Sequence, residues 1–292
     1  MGTFRDAARN KDFVLSTELF LRPESSSVTI AEQGRSLQGY VDGSLVTDNQ
    51  DGRLNLDPLA AAALVRQHGG DPIMQLACCN RNRIALLGEL LGAAALDVSS
   101  LMLIRGNRVP EGFQPRPKAV FDVDAAELIA MANTMKSDEE LPSPPDFFIG
   151  SVVTPHAPAP GWHPEKLVRK ADAGVQFVIT QLCMHIPLLR EYMKHLVAAG
   201  MPRRISFFIT LAIPASADDA RHLVAARPQN QIPGDIIARL DAASDPEQEA
   251  IALCAEMLRE LAEIPGVGGA HVVATRNLAS VSAAIEAAGM AA

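Results

Sequence analysis

"TDNQDGRLNLDPLAAAALVRQHGGDPIMQLACCNRNRIALLGELLGAAAL" (Thr47–Leu96) holds a helix, a strand and a second helix in one passage. LDPLAAAALVRQHG has an Asp cap, a proline in its first turn and a glycine stop, so it reads as a helix. PIMQLAC (72–78) is apolar nearly throughout and reads as a strand covered on both faces. NRIALLGELLGAAALD then returns to helical spacing. A buried strand between helices is the pattern of parallel strands joined by crossover helices. The densest part, LACCNRNRIALL, puts Cys78, Cys79, Arg81 and Arg83 where the strand ends and the helix begins. That cluster reads as a metal site, a phosphate grip or a plain helix start.

The same alternation continues in both directions. Further strands read at 13–20, 43–48, 100–106, 147–153, 177–183, 205–212 and 270–275, which makes eight. Helical patterns separate most of them, among them DAAELIAMANTM, HPEKLVRKADAG, IPLLREYMKHLVAAG, DPEQEAIALCAEMLRELAEIPG and NLASVSAAIEAAGM. Eight strands alternating with helices predict an α/β fold, a (β/α)8 TIM barrel. A doubly wound open sheet is the rival, but no G-x-G-x-x-G follows the first strand and no P-loop occurs. The proline-rich pieces LPSPPD and PHAPAPGWHP are too short for linkers, so residues 1–292 read as a single barrel domain.

Composition narrows the function. A net charge of −8 argues against a protein that works by gripping nucleic acid. No run of 18 apolar residues suggests a membrane span, and MGTFRDAARNKDF lacks the apolar core of a signal peptide, so the expected location is cytoplasmic. Cys78, Cys79, Cys183 and Cys254 form no C-x-x-C pair and no zinc spacing; they read as buried small hydrophobes, and no metal is assigned. The long helix at 245–263 could pack against a partner, although ordinary core packing is the simpler reading.

A barrel places its reactive residues at the C-terminal ends of strands and in the loops that follow. Those positions hold Glu18; Thr47, Asp48 and Asn49; Gln75 and Asn80; Arg105 and Asn107; Thr154 and His156; Gln181 and His185; Thr275, Arg276 and Asn277. Glu18 lies inside the apolar LSTELFL, where a carboxylic acid with a raised pKa could deliver a proton near neutral pH. A structural ion pair is the equal alternative. Gln181 ends FVITQ, and an inward amide both donates and accepts, which suits a pyrimidinone edge; a satisfied core amide is the plainer reading. Arginines at a helix start attract anions. No G-x-S-x-G elbow supports a hydrolase, and no lysine at a strand end supports a Schiff base.

Taken together, VTDN, QLACCNRNRIALLGELLGAAAL, LIRGN, VFDVDAAELI, IGSVVTPHAPAP, KLVRKADAGVQFVITQ and IPGDII resemble methylenetetrahydrofolate reductases, closest to the short bacterial and archaeal single-domain type. The resemblance runs from about Glu18 to Asn277. It implies a (β/α)8 barrel with FAD at the strand ends, reduced by NADH or NADPH, passing hydride to 5,10-methylenetetrahydrofolate to give 5-methyltetrahydrofolate for methionine supply. It implies that Glu18 protonates the leaving folate nitrogen. Gln181, with Asn107, Thr275 and Arg276, would hold the folate. Thr47, Asn49, Gln75, Arg81, Arg105, Asn107, Thr154, His156, Lys170 and Asp172 would line the flavin.

The chain departs from the family pattern in places. Asn107 stands where the family has an acid, and Gln75 where it has a histidine. A reductase that passes hydride directly from nicotinamide to folate is therefore one alternative. A folate- or flavin-binding subunit of a larger complex is another. A homo-oligomer or a partner subunit remains open, and a barrel lyase or aldolase would follow if the likeness were to the fold alone.

Overall fold

The computed structural model of the chain describes residues 2–49, 52–107 and 113–291. Its centre is a closed barrel of parallel strands: β1 (Val14–Glu18), β2 (Gly43–Val46), β3 (Pro72–Ala77), β4 (Ser100–Ile104), β5 (Phe148–Val153), β6 (Phe177–Thr180), β7 (Ser206–Ile213) and β8 (Gly269–Ala274). Each strand pairs with the next in sequence, and β8 closes on β1, with Ser16 beside His271. The (β/α)8 barrel expected from the sequence is therefore the fold; β1 to β6 are somewhat shorter than expected, and β7 and β8 keep the expected length with a one-residue shift.

Helices surround the barrel: α1 (Phe4–Asn10), α2 (Ser27–Leu37), α3 (Pro58–Gln67), α4 (Arg83–Ala95), α5 (Ala125–Thr134), α6 (Glu165–Ala173), α7 (Ile186–Ala198), α8 (Ala217–Ala226), α9 (Gly234–Ala242), α10 (Pro246–Ala262) and α11 (Ala279–Ala288). All but α6, α9 and α11 start at a side-chain cap. The Asp57 carboxylate accepts from the Leu59 and Ala60 amides, and the Asn82 side chain accepts from Ala85. Asp124 and Glu127 form a capping box at α5. The helix at 245–263 is core-packed along α10, with eight buried residues from Ala250 to Leu261. Helices α1, α2, α8 and α9 were not foreseen from the sequence. Among the described residues, no helix is long and apolar enough to cross a membrane.

One end of the barrel is sealed. Phe4, on α1, packs among Phe148, Phe177 and Phe208, with ring centroids 6.0, 5.4 and 5.2 Å away. The Phe4 amide donates to Asp71 Oδ2 at 2.7 Å, which ties α1 to the turn before β3. Val14, Leu45, Ile73, Met102 and Ile179 complete this inner plug. Gly150 makes room for it, because a Cβ there would run into the Phe177 ring. The plug sits at the N-terminal ends of the strands, so the end left for a ligand is the C-terminal one.

All four cysteines are free and buried. Burial pushes the Cys78 and Cys183 thiols up to about 11 and the Cys254 thiol up to about 12. Thiols held protonated in this way are poor nucleophiles and poor metal ligands, as expected of packing cysteines.

Candidate active site

Side chains alternate between the two faces of a strand, so residues two apart share a face. Ile179 belongs to the inner plug, and Gln181 follows it by two; the Gln181 amide donates to Val153 O at 2.8 Å, which keeps the chain extended past β6. Val14 is also in the plug, which puts Ser16 and then Glu18 on the inner face of β1. Ile73 carries Gln75 inward in the same way on β3. Glu18 and Gln181 are half-buried and approach the open end from β1 and β6. Gln75 is buried, and its Oε1 accepts from the Asp48 amide at 3.0 Å. Thr47 is buried one residue past β2.

Below Glu18 lies a histidine that the sequence reading passed over. His271 is 1% exposed on β8, level with Ser16, whose Oγ is 3.0 Å from its Nδ1. Its Nε2 is buried without a hydrogen-bond partner. Burial pushes the imidazole down to about 3 from an ordinary 6.5, so it is neutral at working pH. A lone histidine inside the apolar strand AHVVAT was the available signal.

A pH effect on stability follows. The folded state keeps His271 unprotonated while the unfolded chain binds a proton below pH 6.5, so stability falls as pH drops from 6.5 toward 3. The loss from this group is about 1.4 kcal/mol per pH unit over that window. Urea titrations at several pH values should show that slope, and His271→Gln should flatten it; an unchanged slope in the variant would sink this account.

The cluster in CCNRNR is explained by ion pairing. Cys78–Asn80 make a 3-10 turn, and Arg81 then reaches back to the β2 exit. Its Nη1 donates to Asp48 Oδ2 at 2.6 Å, its Nε lies 3.3 Å from Glu89 Oε1, and its Nη2 lies 3.6 Å from Asp57 Oδ2. Burial opposes the guanidinium charge, but the three carboxylates outweigh it and raise the Arg81 pKa. Asp48 Oδ2 also accepts from the Ala77 amide at 2.9 Å. Asn49 (φ +44°) donates to Asp48 Oδ1 and accepts from the Asn55 amide, both at 3.1 Å. Cys79 packs under Gly106, where φ is +74° and a Cβ would strike the Cys79 sulfur. The cysteines therefore shape the turn that carries Arg105 and Asn107.

A model of one protein family, described as methylenetetrahydrofolate reductase, matches residues 3–289. The chain belongs to the methylenetetrahydrofolate reductase family. No curated protein matches it. A solved structure of an uncharacterized Clostridium thermocellum protein, described as binding two copies of 5-methyl-5,6,7,8-tetrahydrofolic acid, superposes with a TM-score of 0.69 at 13% identity. That likeness covers 98% of this chain and 97% of the other. DmoA from Hyphomicrobium sulfonivorans superposes with a TM-score of 0.55 at 10% identity, over 94% of this chain and 85% of its own. At these identities the two structures support the shared barrel.

Flavin use in this reductase family requires groups that face the cofactor, and FAD brings a diphosphate that calls for unspent donors or cations. Several side chains that the resemblance assigned to FAD are spent on the protein itself. Arg81 is held by three carboxylates. Lys170 Nζ donates to Val152 O at 2.5 Å and Ser151 Oγ at 3.1 Å, and burial lowers its pKa. Asp172 pairs with Arg204 at 2.6 Å on the exposed side of α6. Asn49 and Gln75 brace the β2 exit. Arg81, Lys170 and Asp172, each engaged within the protein, leave of the ionic members only the exposed Arg105 for a diphosphate, and one guanidinium is not a cradle for FAD.

The remaining positions are more open. Arg105 is exposed, its guanidinium carbon 4.5 Å from the Phe121 ring centre, and Asn107 is exposed beside it. Thr154 is half-buried. The His156 ring packs against Trp162 and Tyr192, with centroids 5.1 and 5.2 Å away. Thr275 Oγ1 accepts from the Ala215 amide at 3.0 Å, and Arg276 pairs with Asp219 at 2.9 Å. The structure thus gathers Glu18, Gln75 and Gln181 on the inner face and leaves Asp172 outside it.

Proposed function

We propose that this protein reduces 5,10-methylenetetrahydrofolate to 5-methyltetrahydrofolate, with electrons from NADH or NADPH. The observation that carries the reading is a carboxyl group and an amide, Glu18 and Gln181, on the inner face at the open end of a barrel of this family. Gln181 donates to and accepts from the pterin edge. Glu18 gives its proton to the folate nitrogen as that nitrogen's bond to the bridging carbon breaks, leaving an iminium carbon on the other nitrogen. A hydride then adds to that carbon and makes the methyl group. One proton and one hydride enter, and the nicotinamide leaves oxidised.

The commitment of Arg81, Lys170 and Asp172 to protein partners favours direct passage of the hydride from nicotinamide to folate over passage through FAD. The chain then acts as a single-domain enzyme of the cytoplasm. The test uses NADH deuterated at the transferred position, with the purified protein, methylenetetrahydrofolate and no added flavin. Direct transfer is expected to leave all the deuterium in the methyl group, in a colourless protein that added FAD does not accelerate. Flavin bands bleached by NADH, with label lost to solvent, would overturn the direct route and restore FAD. Absence of both NADH and NADPH oxidation with every folate would overturn the reductase reading and favour a binding subunit.

A further inference from the structure

Helix α4 has an outer face that no part of the described chain covers. At 100° per residue, Leu86, Leu90 and Ala93 point into the barrel layer, and Ile84, Gly88, Leu91 and Ala95 form a stripe on the opposite side. Ile84 is 81% exposed and Leu91 45%, and Gly88 has open space where a Cβ would be. The helix sequence, RIALLGELLGAAA, carries only two charged residues. Glu89 turns to Arg81, and Arg83 leans toward Glu127 on α5, so neither lies on the stripe. A helix that is apolar on both faces is ordinarily covered on both.

The spacing 84, 88, 91, 95 is a four-three-four seam, the pattern along which two helices pack side by side. We propose that this stripe is a two-fold interface with a second copy of this chain, with the two α4 helices antiparallel. Self-complementarity identifies the occupant. In the antiparallel register, Ile84 of one copy meets Ala95 of the other and Leu91 meets Gly88, so every layer sets a large side chain against a small one. A parallel pairing would stack Ile84 on Ile84 and leave Gly88 facing Gly88, with alternating crowding and voids. The antiparallel register also carries Arg83, at the helix start, toward the second copy's Asp97, just past the helix end, and it opposes the helix dipoles. A two-fold contact of this kind is isologous and closes after one pairing.

A four-layer seam is smaller than the roughly 800 Å² per partner of a standard stable interface, so the dimer is expected to be weak and to depend on concentration. Sedimentation velocity of the full chain, from about 1 to 100 μM, the range in which a weak self-association shows, tests the proposal. The wild type is expected to shift from monomer to dimer across the range. Leu91→Glu is expected to remain monomeric. Gly88→Leu is the second variant: leucine there meets nothing in the monomer and favours the helix, but it fills the notch that receives Leu91. It is expected to be monomeric with an undiminished melting temperature. A wild type that stays monomeric throughout, or a dimer that either variant leaves intact, overturns the proposal.

Discussion

Replacing Glu18 by Gln is expected to lower turnover by about 100- to 10,000-fold, the usual worth of a positioned general acid, while folate binding stays within a few fold of wild type. The amide keeps the size and much of the hydrogen bonding of the carboxyl group, so the fold and the folate contacts survive. What it lacks is a transferable proton. Without that proton the folate nitrogen must leave as a poor leaving group, and the iminium carbon that accepts hydride does not form. The loss therefore belongs in kcat rather than KM. Folate affinity measured by titration, beside steady-state rates, separates the two. Turnover close to wild type would remove Glu18 from its role and leave the inner-face position as structural. A loss of affinity as large as the loss of rate would make it a binding residue.

The inner-face placement of Glu18 and Gln181 was legible because its signal is local. Each is a polar residue at the end of an apolar strand, and strand parity together with the barrel topology puts both on the inner face. The strands themselves were legible for the same reason: both faces are covered, so the apolar runs are nearly unbroken. The missed helices are different. Helix α2 follows PESSS and is started by a Ser26–Thr29 box, yet buries only Ile30, Ala31 and Leu37, so it reads as loop. Helix α8 buries only Ala217 and Ala220.

Side-chain partnerships were the least legible level. Arg81 sits beside the strand end that a cofactor would approach, and nothing in NRNR tells that Asp48 and Asp57, from the preceding loop, have already claimed it. The same holds for Asp172, whose partner Arg204 comes after the next strand and helix. His271 was hidden because its meaning lies in burial beside Ser16, which only the closure of β8 on β1 creates.

Arg81→Leu is expected to destabilise the protein by about 3–5 kcal/mol, the range for breaking a buried ion pair by removing one partner. The Asp48 side chain is fully buried and Arg81 is 12% exposed, so the pair is shielded from water. Leucine leaves Asp48 with the Ala77 amide and Asn49 but without its counter-charge. Glu89, whose pKa burial already raises, loses the cation that opposes that rise. The penalty is the desolvated carboxylate, not the net worth of the pair, and this makes a strict test available. In Asp48→Asn/Arg81→Leu the buried charge is gone from both sides, so part of the loss should return, and the double-mutant cycle should show coupling above the ~0.5 kcal/mol of independent sites. Thermal melts would show the single variant roughly 5–8 °C below wild type. A single variant within a couple of degrees of wild type, or a double variant that melts at the sum of the two losses, would mean that Arg81 does not hold the β2 exit in place. In that case its guanidinium would be available to an anionic ligand after all, and the argument against a flavin diphosphate at this loop would lose its main support.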